Sequence, residues 1–344
     1  TERAFWVTLS VLVATCPCAL SLAAPTAVTC ALANLNRRGI LIKNAAVLDV
    51  LPKLTHIIFD KTGTLTEGRF SVSRTEVLDA THSEAQVLNI IANIEAFSEH
   101  PIARAFAPYL AKKLPITNVR IDIGKGISAE LGDRQITVGS AEFCAVAAVS
   151  GASVYLCINH ALIAAVTLHD AIRREVPTLV TTLKHQGYKL QMLTGDSSEQ
   201  ADIVQQGLQF DRMVKGCSPE QKVAEIQQLV QQGHFVMMLG DGINDNPSFH
   251  AAHVSVTMET GSDLSKNQAD VVLLQPSIGL LSNLLQLSRL SQKVIKQNLY
   301  WAAGYNLLII PLAVAGYVSP YIAVVGMSFS SLLVVSNSLR LLKK

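Results

Sequence analysis

Residues 55–68 read THIIFDKTGTLTEG. The first half is a short apolar run that ends in an acid, Asp60, and the second half is rich in turn-forming Thr and Gly. Two later stretches repeat the plan, YKLQMLTGD at 188–196 and HFVMMLGDG at 234–242, and HVSVTM at 253–258 is a fourth strand candidate. Between them the sequence turns helical: over 172–186, over 197–207 with Asp196 as N-cap, and over 219–232 with Pro219 near its start. Strands alternating with helices predict a parallel, doubly wound α/β sheet. In such sheets ligands sit beyond the carboxyl ends of the strands. Those ends carry Asp60, Thr194-Gly195-Asp196 and Asp241, so acids up to 181 residues apart are expected to meet in one crevice.

The segment 69–169 breaks this rhythm. Amphipathic helix patterns near 83–96 and 101–113 give way to strand-like pieces, NVRIDI, RQITVG, SVYLCIN and LIAAVTL. It is expected to be an independent α+β domain, inserted between 37–68 and 170–290 of the sheet domain.

Composition explains the two ends of the chain. Of 344 residues, 28 are Lys or Arg and 26 are Asp or Glu, a net charge of +2, so a nucleic-acid partner held by bulk charge is excluded. Charged residues make up 16%, against about 25% in an ordinary soluble domain. The deficit is local: Ala4–Asn36 and Gln297–Leu339 hold no Asp, Glu, Lys or Arg over 33 and 43 residues. A membrane helix needs about 20 residues. One span is therefore expected within 1–36 and two within 291–344, with Gly316-Tyr-Val-Ser-Pro320 as the turn between them. The first stretch is too long for a signal peptide and lacks its basic leader. Basic residues flank the spans: Arg37, Arg38 and Lys43, then Lys293 and Lys296, then Arg340, Lys343 and Lys344. All fall on one side, which the positive-inside tendency makes cytoplasmic. A multi-pass integral membrane protein with its soluble domains in the cytoplasm is expected.

An acid at a strand end, followed by Lys-Thr-Gly-Thr, is suited to nucleophilic attack on a phosphoryl group, giving an aspartyl-phosphate on Asp60. The Thr and Gly amides form an anion-cradling turn, and Mg²⁺ held by carboxylates, Asp241 with Asp245, offsets phosphate charge. Thr194 and Lys222 are candidates to bind the phosphoryl group. In the first span, Cys16-Pro17-Cys18 places two thiols on either side of a helix breaker. Two positions apart on a regular helix they point about 200° apart; Pro17 opens the helix and lets them converge on a soft ion such as Cu(I), with Zn(II) also possible. The six cysteines form no CxxC pair, and a disulfide framework is not expected.

DKTGTLT at 60–66, TGD at 194–196 and GDGIND at 240–245, in this order, resemble the P-type ATPases, whose phosphorylation domain belongs to the haloacid-dehalogenase-like superfamily. The resemblance implies that ATP phosphorylates Asp60, next to Lys61 and Thr62, with Mg²⁺ on Asp60, the Thr62 carbonyl and Asp241. It assigns Thr194, Gly195 and Asp196 to phosphate and nucleotide, and Lys222 to the phosphoryl group. Asp170 sits where the family re-enters the phosphorylation domain. Phosphatases of the superfamily usually carry a second Asp two residues after the nucleophile; Thr62 stands there, so a long-lived phosphoenzyme is expected.

EAFSEHPIA at 95–103 with GKG at 124–126 resembles the nucleotide-binding domain of the heavy-metal branch, and implies that Glu95, His100, Gly124, Gly126 and Gly139 line the ATP site. Tyr305-Asn306, and Met327 with Ser331 a turn later, resemble the copper(I) branch and join Cys16 and Cys18 as the expected ion site. A zinc or cadmium pump and a membrane-anchored phosphatase are the alternatives. The resemblance covers essentially the whole chain but only the C-terminal half or so of a family member. Thr-Gly-Glu, the motif of the family's actuator loop, is absent from the sequence. Slow dephosphorylation, a partner or longer chain carrying the missing half, a plasma-membrane location and delivery by a copper chaperone are what the resemblance implies.

Overall fold

The computed structural model describes residues 2–122, 125–195, 199–240 and 245–343. Gly124, Asp196 and Asp241 lie outside the described residues. The chain opens with α1 (Glu2–Ala14) and α2 (Cys18–Arg37), then β1 (Ile40–Ile42), α3 (Val47–Val50) and β2 (His56–Asp60). A long strand β3 (Thr66–Val77) leads to α4 (Glu84–Glu95), α5 (Pro101–Phe106), β4 (Ile116–Asp122), β5 (Gly126–Leu131), β6 (Arg134–Gly139), β7 (Val154–Ile158) and the returning β8 (Ala161–Ile172). Next come α6 (Val176–His185), β9 (Lys189–Leu193), α7 (Glu199–Leu208), β10 (Arg212–Val214), α8 (Pro219–Gln231) and β11 (Val236–Gly240). The last part is α9 (Asn246–Ala251), β12 (Val254–Met258), α10 (Asp263–Gln268), β13 (Val271–Leu273), α11 (Leu280–Val314) and α12 (Pro320–Lys343).

Seven strands form the first sheet in the order β1-β13-β12-β11-β2-β9-β10, parallel throughout except for the antiparallel edge pair β1–β13. Central β2, β11 and β12 are buried along their whole length, as continuous apolar strands covered on both faces must be. One face packs on α6, α7 and the first turns of α11; the other packs on α8 and α9 through Ile226, Leu229 and Phe249. Helices on both faces of a parallel sheet make the doubly wound arrangement expected from the sequence.

The second sheet is antiparallel, in the order β3-β8-β7-β6-β5-β4, with its core against α4 and α5. β3 and β8 run together from Thr66↔Ile172 to Val77↔Ala164, so a two-stranded ribbon joins the loop after Asp60 to this α+β unit. α4 starts with a capping box at Ser83 and Gln86. The helix expected over 101–113 is shorter, ending at Phe106 before a single tight turn at Ala107–Tyr109. Pro108 lies in that turn and cannot donate the hydrogen bond that a continuing helix needs.

Two helical stretches, Glu2–Arg37 and Pro320–Lys343, are long and apolar enough to cross a membrane. The third expected span is the second half of α11, one helix that begins inside the core of the parallel sheet. From Gln297 onward it carries Asn298, Tyr300, Tyr305 and Asn306, which makes it less apolar than the other two. Ala19, Ala23, Ala27 and Ala31 form a buried stripe on α2 that lets α11 and α12 approach closely. Asn298 fastens the three: its Nδ2 donates to the Ala23 carbonyl (3.1 Å) and Ser338 Oγ (2.9 Å), and its Oδ1 accepts from Asn337 (2.9 Å). Outward, Phe5, Leu12, Leu20, Leu307, Leu308, Phe329 and Leu332 are exposed, an apolar surface suited to lipid.

Candidate functional site

β2 delivers Asp60 to the carboxyl end of the sheet between β9 and β11. The following segment Lys61–Leu65 turns back sharply, with Gly63 in the left-handed region at φ 71°, which glycine adopts without steric cost. Thr66 closes the turn, its Oγ1 accepting from Gly63 N–H (3.1 Å) and donating to the Lys61 carbonyl (3.1 Å). The Asp60 carboxylate accepts a hydrogen bond from the Thr62 backbone N–H, while the Thr62 side chain itself is exposed.

Lys222, in the first turn of α8, reaches both acids of the crevice. Its Nζ lies 2.6 Å from Asp60 Oδ1 and 2.7 Å from Asp245 Oδ1, and all three residues are buried. Burial, then the charge of Asp245, push the Asp60 carboxyl up to about 6 against the opposing pull of Lys222. Burial works against the Lys222 ammonium, but the two carboxylates outweigh it and hold its pKa above the ordinary value. A side chain on Gly240 would put Cβ 2.7 Å from Asp245 Oδ2, so the glycine that ends β11 is what admits this carboxylate. Thr194 is buried one residue beyond Leu193, the register partner of Asp60, and Gly195 follows it. Thus Asp60, Lys222, Asp245 and Thr194 gather at adjoining strand ends. Thr66 and Gly240 are the additions that motif reading misses: Thr66 is read only as the motif's last letter, and Gly240 acts through a residue five positions later.

Asp60 and Asp245 present hard carboxylate oxygens on either side of the Lys222 ammonium, a donor set that suits Mg²⁺. Asp60 and Asp245 would hold the ion, with Asp241 lying outside the described residues, and it would neutralise phosphate charge there.

In the second sheet, Glu95 ends α4 with a carboxyl that burial raises to about 7. His100 caps α5, its Nδ1 accepting from the Ile102 N–H (3.3 Å), and desolvation lowers its pKa. That bond leaves Nε2 for another partner. Gly126 and Gly139 face each other across β5 and β6. A Cβ on Gly126 would fall 2.4 Å from a Phe143 ring carbon, and one on Gly139 would fall 2.5 Å from the Lys125 carbonyl, so packing already demands both glycines.

At the break between α1 and α2, Cys16 and Cys18 are joined as a disulfide with Cα atoms 5.5 Å apart. This corrects the expectation of free thiols. Pro17 ends the regular helix and turns both sulfurs to one side, close enough to bond each other. Cys18 Sγ lies 3.7 Å from Met327 Sδ on α12. The Tyr305 hydroxyl is buried without a hydrogen-bond partner and packs on Gly326, where a Cβ would come within 2.6 Å of it. Cys16, Cys18 and Met327 are therefore neighbours, Tyr305 packs on the residue before Met327, and Asn306 and Ser331 are half-buried on α11 and α12. Among the described residues no three of His, Cys, Asp and Glu gather to hold a metal, so an ion at the cysteines would draw its third donor from the thioether.

The model of haloacid dehalogenase-like hydrolases matches residues 54–253, which hold β2, β9, β10 and β11 of the parallel sheet together with the insert. The chain belongs to the haloacid dehalogenase-like hydrolases. Its relatives within that family are heavy-metal P-type ATPases. It is 36% identical over 359 residues to the cation-transporting P-type ATPase B of Mycobacterium bovis, covering 99% of this chain and 48% of the relative. It is 34% identical to the copper-exporting P-type ATPase of Mycobacterium tuberculosis, covering 99% of this chain and 47% of that one. Among solved structures, a zinc-transporting PIB-type ATPase in the E2.Pi state superposes with a TM-score of 0.76 at 29% identity, over 95% of this chain and 56% of that chain. The chain thus spans about half the length of the curated relatives it matches. The haloacid dehalogenase-like site at Asp60 and the membrane sulfurs occur in one chain.

Proposed function

We propose that this chain is the catalytic and partial transport half of an ATP-driven pump exporting Cu(I) through an aspartyl-phosphate on Asp60. The observation that carries this reading is the triad Asp60–Lys222–Asp245, buried at a sheet end whose ribbon leads to a second α+β unit. Asp60 attacks the terminal phosphoryl group of ATP in line, the phosphorus–oxygen bond to ADP breaks, and ADP leaves. Lys222 neutralises the Asp60 carboxylate before attack and the phosphoryl oxygens after it. Thr62, in place of a second acid, leaves the acyl-phosphate without an adjacent base to activate water. Glu95, His100, Gly126 and Gly139, with Gly124, hold the nucleotide in the second unit. The neutral carboxyl of Glu95 donates a hydrogen bond to the base.

Copper rests on the soft donors. Cys18 and Met327 already touch, and Tyr305, packed on Gly326 one residue before Met327, has an unpaired buried hydroxyl. Two-electron reduction of the Cys16–Cys18 disulfide by an external dithiol, which leaves as its own disulfide, frees two thiols. These bind a soft ion as thiolates on losing their protons, and a thioether suits Cu(I) better than Zn(II). The zinc reading is favoured by the fold likeness to a zinc-transporting relative. Gln297–Leu339 carries no charged residue to serve a divalent ion, which favours copper. The soluble units lie on the cytoplasmic side and the helices cross the plasma membrane. The actuator, supplied by a longer chain or partner, and a chaperone donor complete the cycle.

The test is metal-stimulated phosphoenzyme under reducing conditions, with Cu(I) and Zn(II) compared. Stimulation by Cu(I) that is lost in Cys18→Ser and reduced in Met327→Leu supports the copper reading. Stimulation by Zn(II) alone, indifferent to Met327, overturns it in favour of zinc.

A further inference from the structure

Where β8 leaves the ribbon and the chain re-enters the parallel sheet, two charged residues hold three separate pieces of the molecule. Arg173 is buried, and its own N–H donates to the Leu65 carbonyl (2.9 Å). Its Nη2 donates to the Gly63 carbonyl (2.9 Å), its Nε to the Thr64 carbonyl (3.0 Å) and its Nη1 to the Pro276 carbonyl (3.2 Å). Two residues later, Glu175 Oε2 accepts from Ser277 Oγ (2.6 Å) and from the Gly279 N–H (2.9 Å).

The first set of bonds covers the loop directly after Asp60. The second covers the lead-in to α11, the 35-residue helix that runs from the sheet core to Tyr305. A guanidinium presents its donors in a rigid planar fork, which a lysine cannot imitate. Buried, it is costly to strip of its partners, so loop and lead-in move with residue 173 rather than past it. Glu175 adds a carboxylate at the N-terminal end of α11, where the helix dipole favours negative charge. Arg173 and Glu175 are thus a direct covalent and hydrogen-bonded route between the nucleophile loop and α11, the helix that carries Tyr305.

We propose that Arg173 and Glu175 are positioning residues that strap the phosphoryl-accepting loop to the first turn of α11, so that a change at Asp60 reaches the membrane helix through Pro276–Gly279. The functional part of this inference rests on the aspartyl-phosphate reading. Because coupling between sites is reciprocal, loosening the α11 end also disturbs the loop.

The experiment combines hydrogen exchange on the whole chain in detergent with ATP labelling. Arg173→Lys keeps the charge without the fork, Glu175→Ala removes the acceptor, and Glu175→Gln keeps an acceptor oxygen. Arg173→Lys and Glu175→Ala are each expected to speed exchange by about tenfold in both segments, 63–65 and 277–281. They slow phosphoenzyme formation by a similar factor and leave nucleotide affinity unchanged, while Glu175→Gln restores the native exchange pattern. Glu175 is exposed, so its variants keep the test available if Arg173→Lys does not fold. Loosening confined to the substituted contact, or labelling at the native rate in both variants, overturns the strap. A native chain that binds nucleotide and never labels contradicts the aspartyl-phosphate reading instead, and the exchange pattern then decides the strap alone.

Discussion

Lys222 is held by two buried carboxylates, Asp60 and Asp245. Removing one partner of a buried ion pair costs about 3–5 kcal/mol. Lys222→Met should therefore destabilise the chain by that order at pH 8, read by urea unfolding. Without the ammonium the Asp60 carboxyl, already raised by burial, holds its proton more tightly folded than unfolded, a stabilising difference that is present at low pH and lost as pH rises. The deficit should accordingly shrink at pH 5. Glu95 gives a second pH-dependent readout. Burial raises its carboxyl from 4.5 to about 7, so its favourable contribution to folding fades as pH rises through that window. If the neutral acid donates to the nucleotide base, affinity for a fluorescent ATP analogue falls above pH 7, and Glu95→Gln removes that dependence. Affinity that ignores pH in the native chain would detach Glu95 from the nucleotide. Asp60 and Asp245 stand in sequence motifs that follow strand candidates, whereas Lys222 lies on α8 outside those motifs and enters the sequence reading only as a candidate for the phosphoryl group. Arg173 is not legible in the sequence, because its partners Gly63, Thr64 and Pro276 are joined to it only by the fold.

The elements follow the sequence closely where an apolar run is short and bounded by turns, as in β2, β9, β11 and β12. They depart from it where a tertiary partner decides. The three-residue β1 is too short to show a period and exists through pairing with β13. α5 stops before Pro108, although the apolar pattern continues beyond it. Gly240 closes β11 against Asp245, and a Cβ there has only 2.7 Å to the carboxylate oxygen. Gly240→Ala should push Asp245 from Lys222 and slow phosphoenzyme formation by about tenfold or more; an unaltered rate would show that Asp245 is dispensable. At the membrane break, Pro17→Ala should restore helix through residues 16–18 and swing the two sulfurs apart. Loss of Cu(I) binding with the helical content preserved or raised is the expected result, and Cu(I) bound with native affinity is the contrary one.

At the scale of the whole molecule, the parallel sheet shares a continuous core with the sheet-proximal parts of α2, α11 and α12, while the inserted α+β unit keeps a core of its own. Ala27, Ala31 and Leu35 of α2, and Leu341 of α12, join the same buried cluster as β2 and β11. The helix ends nearest the sheet are therefore packed on it, and the proposed coupling would pass through this contact. Charge-free stretches reveal the helices in the sequence, but only the structure shows that α11 is one rod rooted in the sheet. Conversion of Asp60 to an acyl-phosphate, as proposed, is tested most directly by acid-quenched labelling with γ-³²P-ATP and Mg²⁺, comparing the native chain with Asp60→Asn. Acid-stable, hydroxylamine-labile label that persists in a cold-ATP chase and is absent from Asp60→Asn is expected. Equal label in both proteins, or none in a native chain shown to bind ATP, would contradict it.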